Sequence, residues 1–235
     1  ENRKNQIDVT NDTSRYKLIL FAWPLIQFFL LIGSLISICW FQHLTVVEAV
    51  ILMLVQGMIT GAVGITFAHE LMHQKTKLER FLADILMAMA FYGHFRTEHV
   101  FVHHRYVGTK KDAVTARFNE SFYTFFLRVI PQCLISAWSV EAQKLAAKNK
   151  STFSTSNPFY TYAALASLFV LLSFIIGGTY GITLFFIQAL VAILHLEVVN
   201  YIEHYGLSRK KISENKYDPT KPHHSWNANH AASNL

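Results

Sequence analysis

Four long apolar runs decide what this chain can become. Residues 16–41, 45–68, 159–176 and 182–200 hold only Lys17, Glu48 and Glu197 as charged side chains. Each is close to the ~20 residues a helix needs to cross a hydrocarbon core of about 30 Å. In lipid the backbone has no water to bond, so a spanning segment is either a helix or a strand of a closed barrel. Barrel strands alternate polar and apolar side chains. These runs are apolar throughout and read as helices, which predicts an all-α, polytopic integral-membrane bundle with four spans. A composition of 52% hydrophobic and 15% charged residues agrees. Within the second run, Gly57, Gly61, Ala62 and Gly64 make a face that another helix can approach closely.

The connecting sequence orients the bundle. The turns FQHLT and GGTYG contain no Lys or Arg, so all 21 basic residues fall at the opposite ends of the spans. Basic loops stay on the cytoplasmic side, which places both ends of the sequence there. Residues 81–93 are apolar but short, and read as a re-entrant or protein-buried helix. Residues 122–145 read as an amphipathic helix on the membrane surface, interrupted near Pro131, and 208–235 as a polar tail. The whole of 1–235 reads as one integral-membrane domain. It begins ENRKNQ, without an initiating Met, and is expected to be an internal segment of a longer protein. The net charge of +6 is scattered through apolar sequence with no nucleic-acid motif, so nucleic acid is not an expected partner. Cys39 and Cys133 lie in or beside apolar segments and point to neither a disulfide framework nor a thiolate site. Metal chemistry would fall to nitrogen and oxygen ligands.

Such ligands are concentrated between positions 69 and 104. On an α-helix residues four apart share a face, so His69 pairs with His73 and His99 with His103, and the two pairs can converge on an ion. His104 is about 100° round from His103, which predicts that it reaches a second ion instead. The orientation above puts all of these, with His204, at one level. They exceed what a single four-coordinate site takes, and imidazole suits iron, zinc, copper and nickel alike. Glu70, Glu98 and Glu203 each adjoin a histidine and are expected to hydrogen-bond and orient ligand rings, with His224 alongside them. The lone histidines His43, His94 and His195 read as structural.

Rival chemistries fit less well. HELMH matches the HExxH pattern of zinc proteases, with Glu70 as the base, but such a site needs one further ligand rather than a second cluster of three histidines. Carboxylate di-iron bundles use two Glu-x-x-His motifs and two more glutamates, where this chain has Glu70-x-x-His73 alone. A metal transporter would string histidines along a path through the bilayer, whereas nearly all of these lie at one side.

HELMHQ (69–74), EHVFVHH (98–104), NYIEHYGL (200–207) and HHSWNANHAASNL (223–235) resemble successive motifs of the membrane-bound alkane 1-monooxygenases. That family belongs to the histidine-box superfamily shared with the fatty-acid desaturases. The resemblance runs from about Gly64 to Leu235, and NYIEHYGL followed by HHSWN points to the alkane and xylene monooxygenase branch. It implies two non-haem irons on the cytoplasmic side of a helical bundle in a bacterial inner membrane, with a hydrophobic channel between the helices. It also implies O₂ as co-substrate and electrons from rubredoxin and its NADH-dependent reductase. The family's first box falls on His69 and His73, its second on His99, His103 and His104, and its isolated ligand on His204; these six are the implied ligands. Its third box would lie beyond Leu235 and two further spans upstream of Tyr16, so truncation at both ends is expected. Gln74 stands where Lys is common, and Val102 where Gly is common.

The implied reaction inserts one oxygen atom from O₂ into the terminal methyl of a medium- or long-chain n-alkane taken from the bilayer, giving a 1-alkanol. A xylene monooxygenase-like or desaturase reaction is the neighbouring alternative. An unactivated C–H bond offers no acid, base or leaving group, so the oxidising power must come from metal and oxygen rather than from side chains. Lys75, Lys77, Arg80, Lys110 and Lys111 read either as a docking surface for a small acidic rubredoxin or as topological charges alone.

Overall fold

The computed structural model describes residues 14–213 and 216–226. Six helices dominate them: α1 (Ser14–Cys39), α2 (Val46–Met72), α3 (Lys77–Met89), α4 (95–106), α5 (Phe122–Ala146) and α6 (Phe159–His204). Three are long and apolar enough to cross a membrane, namely Tyr16–Cys39 of α1, the whole of α2 and α6. Both α2 and α3 start on a T-x-x-E capping box, Thr45/Glu48 and Thr76/Glu79, in which each side chain bonds the other residue's backbone N–H.

α6 is 46 residues long but is not one rod. Gly177 and Gly178 leave helical backbone, and Gly178 has φ 59°, a region that favours glycine. A Cβ on Gly181 would lie 2.2 Å from the Ser173 carbonyl oxygen. Eight residues of straight helix cover ~12 Å, so the chain reverses here and its two arms pack together, as GGTYG predicts. Trp40 Nε1 donates to the Ile176 carbonyl at 2.9 Å, which brings the α1–α2 turn to the same end. α2 packs into α6 through its glycines: a Cβ on Gly57 would meet the Gln188 carbonyl oxygen at 2.6 Å.

Of the two readings for residues 81–93, the structure shows the protein-buried one. Ala83, Met87, Ala88 and Met89 are fully buried, and Gln188 Nε2 donates to the Met89 carbonyl at 2.7 Å. α3 thus packs against α1, α2 and α6.

α5 corrects the expected break at Pro131, because the helix runs straight through it. Pro131 is exposed, so the missing N–H falls on the outward side, beside the exposed Leu127. Phe125, Val129, Cys133, Ala137, Glu141 and Leu145 form a buried row at every fourth residue, while Tyr123, Leu127 and Ile135 are exposed opposite it. Burying Phe125 alone contributes about 2–3 kcal/mol. The polar tail holds a short antiparallel hairpin, Lys211–Ser213 with Lys216–Tyr217, which leaves the all-α class intact.

Candidate metal centre

α2 delivers the first histidine pair. It widens to a π turn at Thr60–Gly64 and tightens again over Ile65–Met72, which carries His69; His73 closes its last turn. α4 delivers the second group, and His99–His103 is also a π turn, with the His104 N–H bonded back to the His99 carbonyl. A π turn takes one extra residue and is frequent at functional sites.

That extra residue redistributes the histidines. His69 Nε2 lies 2.9 Å from His99 Nε2, His73 Nε2 3.3 Å from His69 Nε2, and His104 Nε2 2.9 Å from His99 Nε2. The four candidate ligand atoms all lie within 4.8 Å of one another. The expectation that His99 shares its ion with His103, leaving His104 to a second, does not match this arrangement. Residues five apart come into line on a π turn, so His104 joins His99.

His103 turns the other way. Its Nδ1 lies 3.0 Å from Asp112 Oδ2, and its ring centroid 4.8 Å from that of His204. His204 Nδ1 in turn faces the His224 carbonyl at 3.3 Å. Both rings therefore have Nδ1 engaged and Nε2 left for another partner. His103, His104, His204 and His224 line a 340 Å³ cavity there.

The donor set fits a metal ion. In the first group His69 Nε2 and His99 Nε2 each face two other ring nitrogens, an arrangement that single protons cannot satisfy pairwise. A tetrahedral ion with ~2.1 Å metal–nitrogen bonds holds its ligand atoms roughly 3.4 Å apart, close to the spacings seen. Burial, then the surrounding imidazoles His103, His69, His104 and His73, hold His99 well below its ordinary pKa, so the ring is neutral as a ligand must be. Burial followed by His73 and His103 lowers His104 likewise. For His103 burial also opposes the charge, but the Asp112 carboxylate outweighs it and the net shift is upward.

Of the four residues expected to orient rings, Glu203 and His224 face the His204 ring, and Glu70 and Glu98 face no ring among the described residues. Glu70 accepts the Gln74 amide at 2.9 Å rather than a ring. Glu98 is fully buried, and neither of its carboxylate oxygens has a partner among the described residues. Glu203 Oε2 faces His204 Nε2 at 3.9 Å while its Oε1 accepts the Ser225 hydroxyl. His224 acts through its backbone, its own Nδ1 accepting the Lys221 N–H. Sequence reasoning missed Asp112, which is held by Thr115 Oγ1 (2.6 Å, to Oδ2) and the Val114 N–H (3.2 Å, to Oδ1). The spacing D-x-V-T signals a local Asp turn, but not the histidine it serves.

A second cavity of 340 Å³ opens on the four-histidine group, walled by Ile65, Phe95, Leu196 and Val199. His195, read as structural, lies on this wall, where Gly61 lets α2 pass its Cβ closely. His94 stays apart from both groups, its Nε2 buried with no partner among the described residues, and burial lowers its pKa to about 4.

The family model for fatty acid desaturases matches residues 44–235. The chain is 37% identical over 179 residues to alkane 1-monooxygenase 2 of Pseudomonas aeruginosa, covering 76% of this chain and 48% of that one. It is 41% identical over 180 residues to alkane 1-monooxygenase 1 of the same organism, covering 76% and 47%. To alkane 1-monooxygenase 1 of Alcanivorax borkumensis it is 38% identical over 230 residues, covering 94% and 54%. The chain spans about half the length of the curated relatives it matches.

Proposed function

The chain belongs to the fatty acid desaturase family, within which it is similar to the alkane 1-monooxygenases, and on that premise we propose that it carries the di-iron centre of a membrane alkane hydroxylase. The reaction is insertion of one oxygen atom of O₂ into the terminal methyl of an n-alkane, with rubredoxin as electron donor. The observation that supports this best is the convergence of His69, His73, His99 and His104 on one point. His103 and His204 would hold the second iron together with ligands from elsewhere in the protein. The HExxH protease reading needs one further ligand, whereas His99 and His104 both join His69 and His73.

Bound iron would supply the O₂-derived oxidant that no side chain can. The remaining work belongs to the chain. Asp112 and the His224 carbonyl engage Nδ1 of His103 and His204, which would leave Nε2 of each ring for a metal. Ile65, Phe95, Leu196 and Val199 give the pocket beside the histidines an apolar wall, against which an alkyl end would be oriented. On the orientation read from the basic loops the centre would lie at the cytoplasmic face, and residues of α2 and α6 line the pocket beside it. Of the basic residues expected to receive rubredoxin (Lys75, Lys77, Arg80, Lys110 and Lys111), Lys75 and Arg80 line a cleft with His73, and Lys110 lines another with Lys211. We place the acidic donor at the second, which belongs to loops rather than to the ends of spans.

The test is metal content and product analysis of the full-length protein in membranes with reduced rubredoxin, O₂ and a medium-chain alkane. Two irons and a 1-alkanol are expected. An alkene would reassign it as a desaturase, alcohol from methyl-arenes alone as a xylene monooxygenase-like enzyme, and zinc without oxygen-dependent product would refute the di-iron reading.

A further inference from the structure

The membrane-side ends of two spans meet at a cleft of about 580 Å³. Met72 ends α2 on one side of it and Pro158 precedes α6 on the other, so the cleft sits at the level where hydrocarbon gives way to head groups. Its wall carries His73 together with Lys75, Arg80, Lys144, Lys148 and Lys150, and with Arg96, whose guanidinium is held by Asp84.

Most of that positive charge is not neutralised. Glu141 is the one carboxylate in the lining, and it is taken up by Lys144 Nζ at 2.8 Å and Thr97 Oγ1 at 3.0 Å. Arg80 Nη1 rests on the Lys75 carbonyl, with the Glu79 and Asp84 carboxylates near enough to feel its charge, and Lys150 Nζ rests on the Ser156 hydroxyl, a neutral acceptor. Lys75 and Lys148 have no side-chain partner among the described residues. The rest of the wall is apolar, with Val100, Phe101 and Leu145 in it. Nearby, α5 turns Leu127 and Ile135 outward, as a helix lying in the membrane interface does.

Surplus positive charge beside an apolar wall at head-group level suits one kind of molecule. A free anion would leave the apolar wall unused, and an acidic protein needs a broad face, of about 800 Å² per partner, rather than a recess. We propose that this cleft binds an anionic phospholipid, its phosphodiester among Lys75, Arg80 and Lys148 and its glycerol end against Val100, Phe101 and Leu145. Basic pockets between membrane helices on the cytoplasmic side bind such head groups. His73 forms part of the same wall, so the bound lipid packs directly against a member of the four-histidine group.

Native mass spectrometry of the full-length protein, exchanged into detergent with dioleoylphosphatidylglycerol or dioleoylphosphatidylcholine, tests this without metal or turnover. Its failure would leave the hydroxylase proposal standing. The glycerol lipid should be retained over the choline lipid. The double variant K75Q/K148Q should bind it about thirtyfold more weakly, the loss expected for two surface charges. K110Q/K211Q, on the separate loop pocket, should bind as the parent does, and unfolding curves should be the same for all three. Equal retention of the two lipids, or undiminished binding by K75Q/K148Q, would overturn the proposal. Displacement by inorganic phosphate at equal concentration would make the cleft a free-anion site, and displacement by rubredoxin would make it the donor's dock; either would refute it.

Discussion

Replacing Asp112 by Asn separates positioning from mere packing at His103. Asp112 Oδ2 accepts from Thr115 Oγ1 and faces His103 Nδ1, while Oδ1 accepts the Val114 N–H. The amide cannot serve all three. With its NH₂ at the Oδ1 position it opposes the Val114 N–H, donor against donor. With its NH₂ at the Oδ2 position it requires a bare His103 Nδ1, which moves the ring proton to Nε2, the atom left for a metal. The first outcome costs about 1–3 kcal/mol of folding stability, the penalty of an unsatisfied buried donor. The second costs metal affinity, about 10- to 100-fold for loss of a carboxylate that orients a ligand ring. Chelator competition with Co²⁺, which avoids oxidation during the titration, should show one of two bound ions weakened in Asp112→Asn. The ion held by His69, His73, His99 and His104 should keep its affinity. Thr115→Val keeps the Asp–His contact and should retain both ions despite a lower unfolding midpoint. If Asp112→Asn binds both ions as the parent does and is merely less stable, then the carboxylate is structural and the positioning argument fails.

Three further outcomes are expected. Glu98→Gln should leave the metal-free unfolding midpoint unchanged or raise it, because a buried carboxylate with two unpartnered oxygens gains nothing from its charge; a fall of several degrees would mean that the carboxylate has a partner in the folded protein. Gly61→Ala would put a Cβ 2.8 Å from His195 Cβ. Crowding α2 away from α6 should cost about 1–3 kcal/mol, and product profiles should shift toward slimmer substrates; an unchanged midpoint and profile would show that the helices part freely. His94 titrates near 6.5 when free and about 4 in the fold. Between those values the unfolded chain takes up a proton that the folded one refuses, so stability is complete above pH 6.5 and falls as pH drops toward 4. His94→Leu should flatten that part of the unfolding-midpoint curve, and identical slopes in parent and variant would disprove the assignment.

What could be read from the residues was whatever rests on local chemistry. Uninterrupted apolar runs gave the long apolar helices, and Gly177–Gly178 gave the reversal between the arms of α6. Assignment of the histidines by helical angle failed where the helix was not α. HVFVH carries no local mark of a π turn, since the wider turn is a matter of backbone bonding within a packed bundle, and arithmetic at 100° per residue sent His104 to the wrong side. Pro131 misled in the opposite sense: its lost hydrogen bond lies on an exposed face, where it does not break the helix. Adjacency in sequence was a partial guide to the orienting groups. Glu98 follows the chain to His99 yet turns into the protein, while Asp112 reaches His103 only because the loop after α4 folds back beneath it.

The π turn in α4 also fixes a length. His103 and His104 are consecutive, yet they face different histidine groups, so the two groups are tied by a single peptide unit with about 3.8 Å between its Cα atoms. That unit is a stiff covalent ruler, not a hinge. Whatever the spans and loops do, the two histidine groups stay linked through this unit, and one residue added to or removed from α4 would disturb both at once.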